Sequence, residues 1–104
     1  MSKKKKQVRE NFRNEVFSRD KNKCLKCGET AVDAHHITDR NEMPNGGYVK
    51  ENGISLCATC HEKAEVWHLS GDIEYVDGYH PNDLYNLINS NYGKALGKSI
   101  QLGS

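Results

Sequence analysis

Cys24-Leu25-Lys26-Cys27 and Cys57-Ala58-Thr59-Cys60-His61 are two CxxC knuckles separated by 29 residues. Each can offer two thiolates to one tetrahedral ion, so Cys24, Cys27, Cys57 and Cys60 together make a four-thiolate structural zinc site. A disulfide framework belongs with a secreted chain and a redox CxxC with a βαβ unit, and neither context surrounds these pairs. Zinc also meets a shortage elsewhere in the chain. Its 104 residues are 36% hydrophobic and 28% charged, and the mean hydropathy is −0.84, which leaves little apolar surface for a core. Structural zinc binds small domains with about 10–16 kcal/mol, comparable to a whole domain's stability. Such an ion has no open position and is no catalyst. The insert between the knuckles, longer than a plain zinc ribbon needs, is therefore expected to display something.

The longest uninterrupted apolar run, Leu56-Cys57-Ala58, has three residues. That excludes a membrane span or a secretory apolar region within this sequence, and a cytoplasmic protein is expected. Charge is uneven along the chain. Residues 1–26 carry ten Lys and Arg against three acidic residues, a balance of +7, whereas the remainder carries five basic and eleven acidic residues, a balance of −6. A basic arm on an acidic body suits a polyanion such as nucleic acid, although Lys3 to Lys6 alone read equally well as a solvated tail.

Residues 1–7 read as a basic disordered tail, residues 8–92 as one domain with its motif core at 24–69, and residues 93–104 as a flexible tail. Val8, Phe12, Val16 and Phe17 place one apolar stripe along a helix over residues 8–20, with both aromatics in the core. A strand is expected over 31–38, a turn at Asn45-Gly46-Gly47 and a return strand within 48–55. A helix over 62–69 closes at Ser70-Gly71, and residues 72–79 read as a strand or an ordered loop. His80-Pro81-Asn82-Asp83 starts a helix to about residue 91, with Leu84, Leu87 and Ile88 on its apolar face.

The insert holds Asp33-Ala34-His35-His36-Ile37 and Asn52, and His61 follows the last cysteine. On a strand His35 and His36 point to opposite faces, so different roles are expected of them. His61 opens a helix anchored by the knuckle. His68 and His80 lack such a setting and read as structural or incidental. Trp67 reads as packing, Glu51, Glu62 and Glu65 as solvated positions, and Asp33 as a solvated strand end, with orientation of an imidazole as its alternative.

These residues resemble the HNH endonuclease family, through Cys24-x2-Cys27-Gly28, Ala34-His35-His36-Ile37, Gly46-Gly47, Asn52 and Leu56-Cys57-x2-Cys60-His61. The upstream Val16-Phe17-x-Arg19-Asp20 is similar to members with a helix before the first knuckle. The resemblance implies a small α+β fold, a ββα-metal (His-Me finger) core with a four-cysteine zinc site and flanking helices. It implies a metal-dependent DNA endonuclease in which His36 is the general base and Asn52 holds the hairpin or reaches the metal. His35 and His61 would ligate one catalytic divalent ion, Mg2+, Mn2+, Ni2+ or Zn2+. Two imidazoles favour the later metals over Mg2+, which prefers oxygen. Gly53 stands where the family commonly has Leu. Arg9, Arg13, Arg19, Arg40 and Lys50 are candidates for holding the DNA backbone. In so short a chain, sequence recognition is expected to be weak, or supplied by a homodimer or a protein partner. The alternative is a zinc-braced module that binds nucleic acid without cleaving it.

Overall fold

Phe12 and Val16 lie one helical turn apart and are both buried, which fixes the inner face of the first helix. In the computed structural model, which describes residues 3–103, helix α1 spans Lys3–Arg19. The helix thus continues through residues expected to be a disordered tail. Lys and Gln are good helix formers, and the Gln7 side chain donates to Asn11 Oδ1 at 2.9 Å, one turn on. Residues 1–2 of that tail and Ser104 lie outside the described residues. Lys21 and Asn22 have φ of 57° and 60°, a left-handed step that ends α1 and leads into the first knuckle.

Strands β1 (Asp33–His36) and β2 (Gly53–Leu56) form an antiparallel pair in which His35 faces Ile54 and His36 faces Gly53. Both strands are shorter than expected, because residues 37–52 are occupied by a loop of three short 3-10 turns. Helix α2 (Ala58–Leu69) begins earlier than expected, since Cys57 caps it: its Sγ accepts from the Cys60 amide. Residues 72–79 form an ordered loop rather than a strand, held by the Lys26 ammonium on the Gly78 carbonyl at 2.9 Å.

Helix α3 (Pro81–Leu87) starts at a His80 cap with Pro81 in its first turn. It buries Leu84 and Tyr85, whereas Leu87, expected on the inner face, is exposed. The expected flexible tail is helix α4 (Tyr92–Leu102), capped by Asn91. Ala95 and Ser99 form its buried face, and it is fastened to the central loop: the Gly47 amide donates to Ser99 Oγ at 3.0 Å and Asn45 Nδ2 to the Ser99 carbonyl at 2.9 Å. Its glycines suggested flexibility, but the i, i+4 pair of small buried residues decides its state. Ile37, Met43, Ile54, Leu56, Ala64, Leu84, Tyr85 and Ala95 form a small core around the buried Cys24 and Cys60. The result is a small α+β fold in which a ββα unit is flanked by helices. Among the described residues no helix is long and apolar enough to cross a membrane.

Candidate functional site

The two knuckles meet. Ligand atoms of Cys24, Cys27, Cys57 and Cys60 lie within 4.8 Å of one another, and the Cys27 and Cys57 sulfurs are 3.6 Å apart. Zn–S bonds of about 2.3 Å place tetrahedral sulfurs about 3.8 Å apart, so the cluster fits zinc. The Tyr79 hydroxyl donates to Cys60 Sγ at 3.3 Å, a partner outside the thiolate set that orients a ligand.

A second cluster lies where β1 faces α2. His61, Glu65 and His68 recur at i, i+4 and i+7, which puts them on one side of α2, while Cys60 and Ala64 of the same helix face the core. His35 projects from β1 and is only 2% exposed. Ligand atoms of His35, Glu65 and His68 lie within 4.8 Å of one another. His61 joins through Glu65, its Nε2 being 3.0 Å from Oε1, and its Nδ1 is 3.1 Å from Asp33 Oδ2. His68 Nε2 is 2.9 Å from the His36 carbonyl oxygen. Because a carbonyl can only accept, that nitrogen carries the proton and Nδ1 keeps its lone pair. Nδ1 of His68 and Nδ1 of His35 are both buried without a hydrogen-bond partner. Burial and the neighbouring histidines hold the His35 imidazole well below its usual pKa, so it stays neutral and able to ligate. Neutral imidazole nitrogens beside a carboxylate are the donor set of a divalent transition-metal ion.

His36 points to the other face of β1 and stacks on Phe12, with Tyr48 edge-on to it at 4.7 Å between ring centroids. Burial lowers its pKa to about 4 despite the opposing pull of Asp39. An open cleft of ≈ 410 Å³ joins both histidine faces, lined by His35, His36, His61, Glu65, His68 and also by Arg9, Arg13 and Arg40.

Residues 24–66 match the family model described as HNH endonuclease. The matched stretch is less than half of the chain and contains both knuckles, the hairpin and most of α2. No curated protein and no solved structure matches the chain. The match points to a nuclease-type or nucleic-acid-related function.

Three expected site positions lie outside the cleft lining, and of these Asn52 takes the holding role, one of the two expected of it. Asn52 is fully buried and lies away from the cleft lining. Its Oδ1 accepts from the Thr38 amide at 2.9 Å and the Tyr85 hydroxyl at 2.7 Å, and its Nδ2 donates to the Thr38 and Gly47 carbonyls at 3.0 and 3.2 Å. Every donor and acceptor of its amide is engaged in holding the loop, which leaves none for a metal. Arg19 is engaged as well: it grips both carboxylate oxygens of Asp20 and the carbonyls of Lys50 and Gly53, so it ties α1 to the hairpin instead of facing the cleft. Lys50 borders a separate groove.

Glu65, expected at a solvated position, and His68, expected to be structural or incidental, both stand in the cluster. The i, i+4, i+7 spacing from His61 was the available signal. Asp33, read as a solvated strand end, lies against His61. Tyr48 and Tyr85 carried no recognisable signal, since their partners are remote in sequence.

Proposed function

We propose that this domain is a metal-dependent endonuclease that hydrolyses DNA phosphodiester bonds. The supporting observation is the juxtaposition, in one open cleft, of the His35–His61–Glu65–His68 cluster with the His36 imidazole, flanked by Arg9, Arg13 and Arg40. His35, His61, Glu65 and His68 would hold a single divalent ion, and three imidazoles with one carboxylate favour Mn2+, Ni2+ or Zn2+ over Mg2+. Bound there, the ion supplies Lewis-acid stabilisation of the charge that builds on the phosphate and on the departing 3′ oxygen.

His36 is the general base. Its lowered pKa keeps it neutral at physiological pH, with a lone pair free to take a proton from the attacking water, while making it a weaker base than an unperturbed imidazole. Asp33 orients His61 through Nδ1, and His68 fixes the His36 backbone. Asn52 is a positioning residue that holds the loop in register with the hairpin. Arg9, Arg13 and Arg40 neutralise phosphates on either side of the scissile bond. The four cysteines hold structural zinc.

The test is conversion of supercoiled plasmid to nicked or linear form by wild type and His36→Ala, both zinc-loaded, with Mg2+, Mn2+, Ni2+ or EDTA. Metal-dependent cutting by wild type alone is the expected result. Salt-sensitive DNA binding with no cutting in any metal would favour the binding module.

A further inference from the structure

The cleft accounts for one side of the molecule and leaves α4 without a task. After residue 26 the chain has only five basic residues among eleven acidic ones. Four of the five, Arg40, Lys50, Lys94 and Lys98, fall on two connected surfaces. Arg40 lines the cleft, whose wall at Tyr48 is shared with a shallow depression bordered by Lys50 and Lys98. That depression opens in turn into a groove of ≈ 410 Å³ bordered by Lys50, Lys94 and Lys98, with Ser90 and Gln101 as neutral polar neighbours. Glu51 borders this groove and Glu15 the depression.

The three lysines are exposed, and none is in an ion pair among the described residues. Lys94 Nζ makes one long contact, 3.3 Å, with the Asn89 carbonyl. From residue 84 to its end the chain has no Asp or Glu. The lysines stand on a rigid support. Asn91 caps α4 by accepting from the Lys94 amide at 2.8 Å, Ser90 Oγ donates to the Glu51 carbonyl at 2.9 Å, and Ser99 is fully buried against the central loop. A cationic track held in place on an otherwise acidic body is a footprint for a regularly spaced polyanion.

We infer that Lys50, Lys94 and Lys98 form a phosphate track that carries the flank of a DNA duplex away from the catalytic cleft and over α4. This rests on the reading of the cleft as a DNA site. The track contacts backbone only, so it adds affinity without sequence preference. It also assigns a role to Lys50, which the cleft itself does not use.

The test measures binding of a 30-base-pair duplex by the zinc-loaded full chain, with His36→Ala in every arm so that the duplex stays intact. Salt is varied from 50 to 200 mM. The triple variant K50Q/K94Q/K98Q should lose about tenfold in affinity or more, and its slope of log K against log salt should be shallower by about 2.7, from about 0.9 per phosphate contact. K50R/K94R/K98R should bind like the parent, and Lys63→Gln, away from the track, should change affinity less than about twofold. A triple Gln variant with the parent's affinity and slope, or no weaker than Lys63→Gln, would overturn the track while leaving the DNA reading intact. A parent with no salt-dependent duplex binding would overturn both.

Discussion

The Phe12 ring stacks on the His36 imidazole, with centroids 4.4 Å apart and planes inclined at 25°. A helix outside the matched segment thus forms one wall around the proposed base. Its approach depends on Gly53, which faces His36 in the hairpin register. A Cβ on Gly53 would lie 2.5 Å from Val16 Cγ2 and 2.7 Å from Phe12 Cε1. The glycine found where Leu is common in the family is therefore the complement of α1.

Gly53→Leu should push α1 off the hairpin. Overpacking of this kind costs about 1–3 kcal/mol, and the His36 environment should open with it. Chemical denaturation will read the stability loss. The His36 ring-proton shifts should move toward solvent-exposed values; unchanged shifts would show that α1 does not set the ring's environment.

Asn52→Ala would remove four hydrogen bonds from a buried site. The Tyr85 hydroxyl, held as a donor by a pKa that burial pushes up to about 12, would keep Thr38 Oγ1 as a partner. The Thr38 and Gly47 backbone groups would lose theirs. Three backbone groups left without a partner, at about 1–3 kcal/mol each, set an expected loss of about 3 kcal/mol or more in urea titrations. Divalent-ion affinity in any folded fraction should be unchanged, because Asn52 is not a ligand.

Ligand deletion tests the proposed metal-binding role of the His35–Glu65–His68 cluster. His35→Ala, Glu65→Ala and His68→Ala should each weaken Mn2+ or Ni2+ binding, measured calorimetrically on zinc-loaded protein, by more than about tenfold, the scale on which even loss of an outer-shell partner acts. Asp33→Asn should act more mildly through His61. Retention of full affinity by His68→Ala would remove His68 from the set and leave it as the support of the His36 backbone.

Acid should destabilise the domain before its carboxylates titrate. His35 and His36 are held neutral in the fold with pKa values below their unfolded value of about 6.5. The unfolded chain then binds more protons, and stability falls as pH drops from about 6.5 toward 4. Urea midpoints between pH 7.5 and 5 will measure the slope. His36→Gln should flatten it; an equal slope would assign the effect to other groups.

Chelation should unfold the chain cooperatively. The core contains few large side chains, and Cys24 and Cys60 are part of it. Losing a metal worth about 10–16 kcal/mol would remove an amount comparable to the whole stability of such a domain. Loss of far-UV helical signal on chelation, restored by Zn2+ alone, is the expected result.

Much of this protein was legible locally. The CxxC spacing, the His35-His36 pair, Asn52 and His61 identify the ββα segment, because ligand chemistry restricts residue type and spacing there. The Phe12–Val16 stripe, likewise, specifies the inner face of α1 through helical periodicity. Tertiary structure decided the rest. Lys3 to Gln7 have no strong local stop, and the Asn91 cap alone does not commit Tyr92 to Leu102 to a helix, so the extent of α1 and the existence of α4 depended on backbone propensity and on a buried Ala95–Ser99 face. The roles of Asn52, Arg19, Glu65 and His68 depended on what lies opposite each side chain. Those partners are the Thr38 and Gly47 backbone, the Asp20 carboxylate and the His35 imidazole. Apart from Asp20, each is brought there only when the hairpin, the central loop and α2 close on one another.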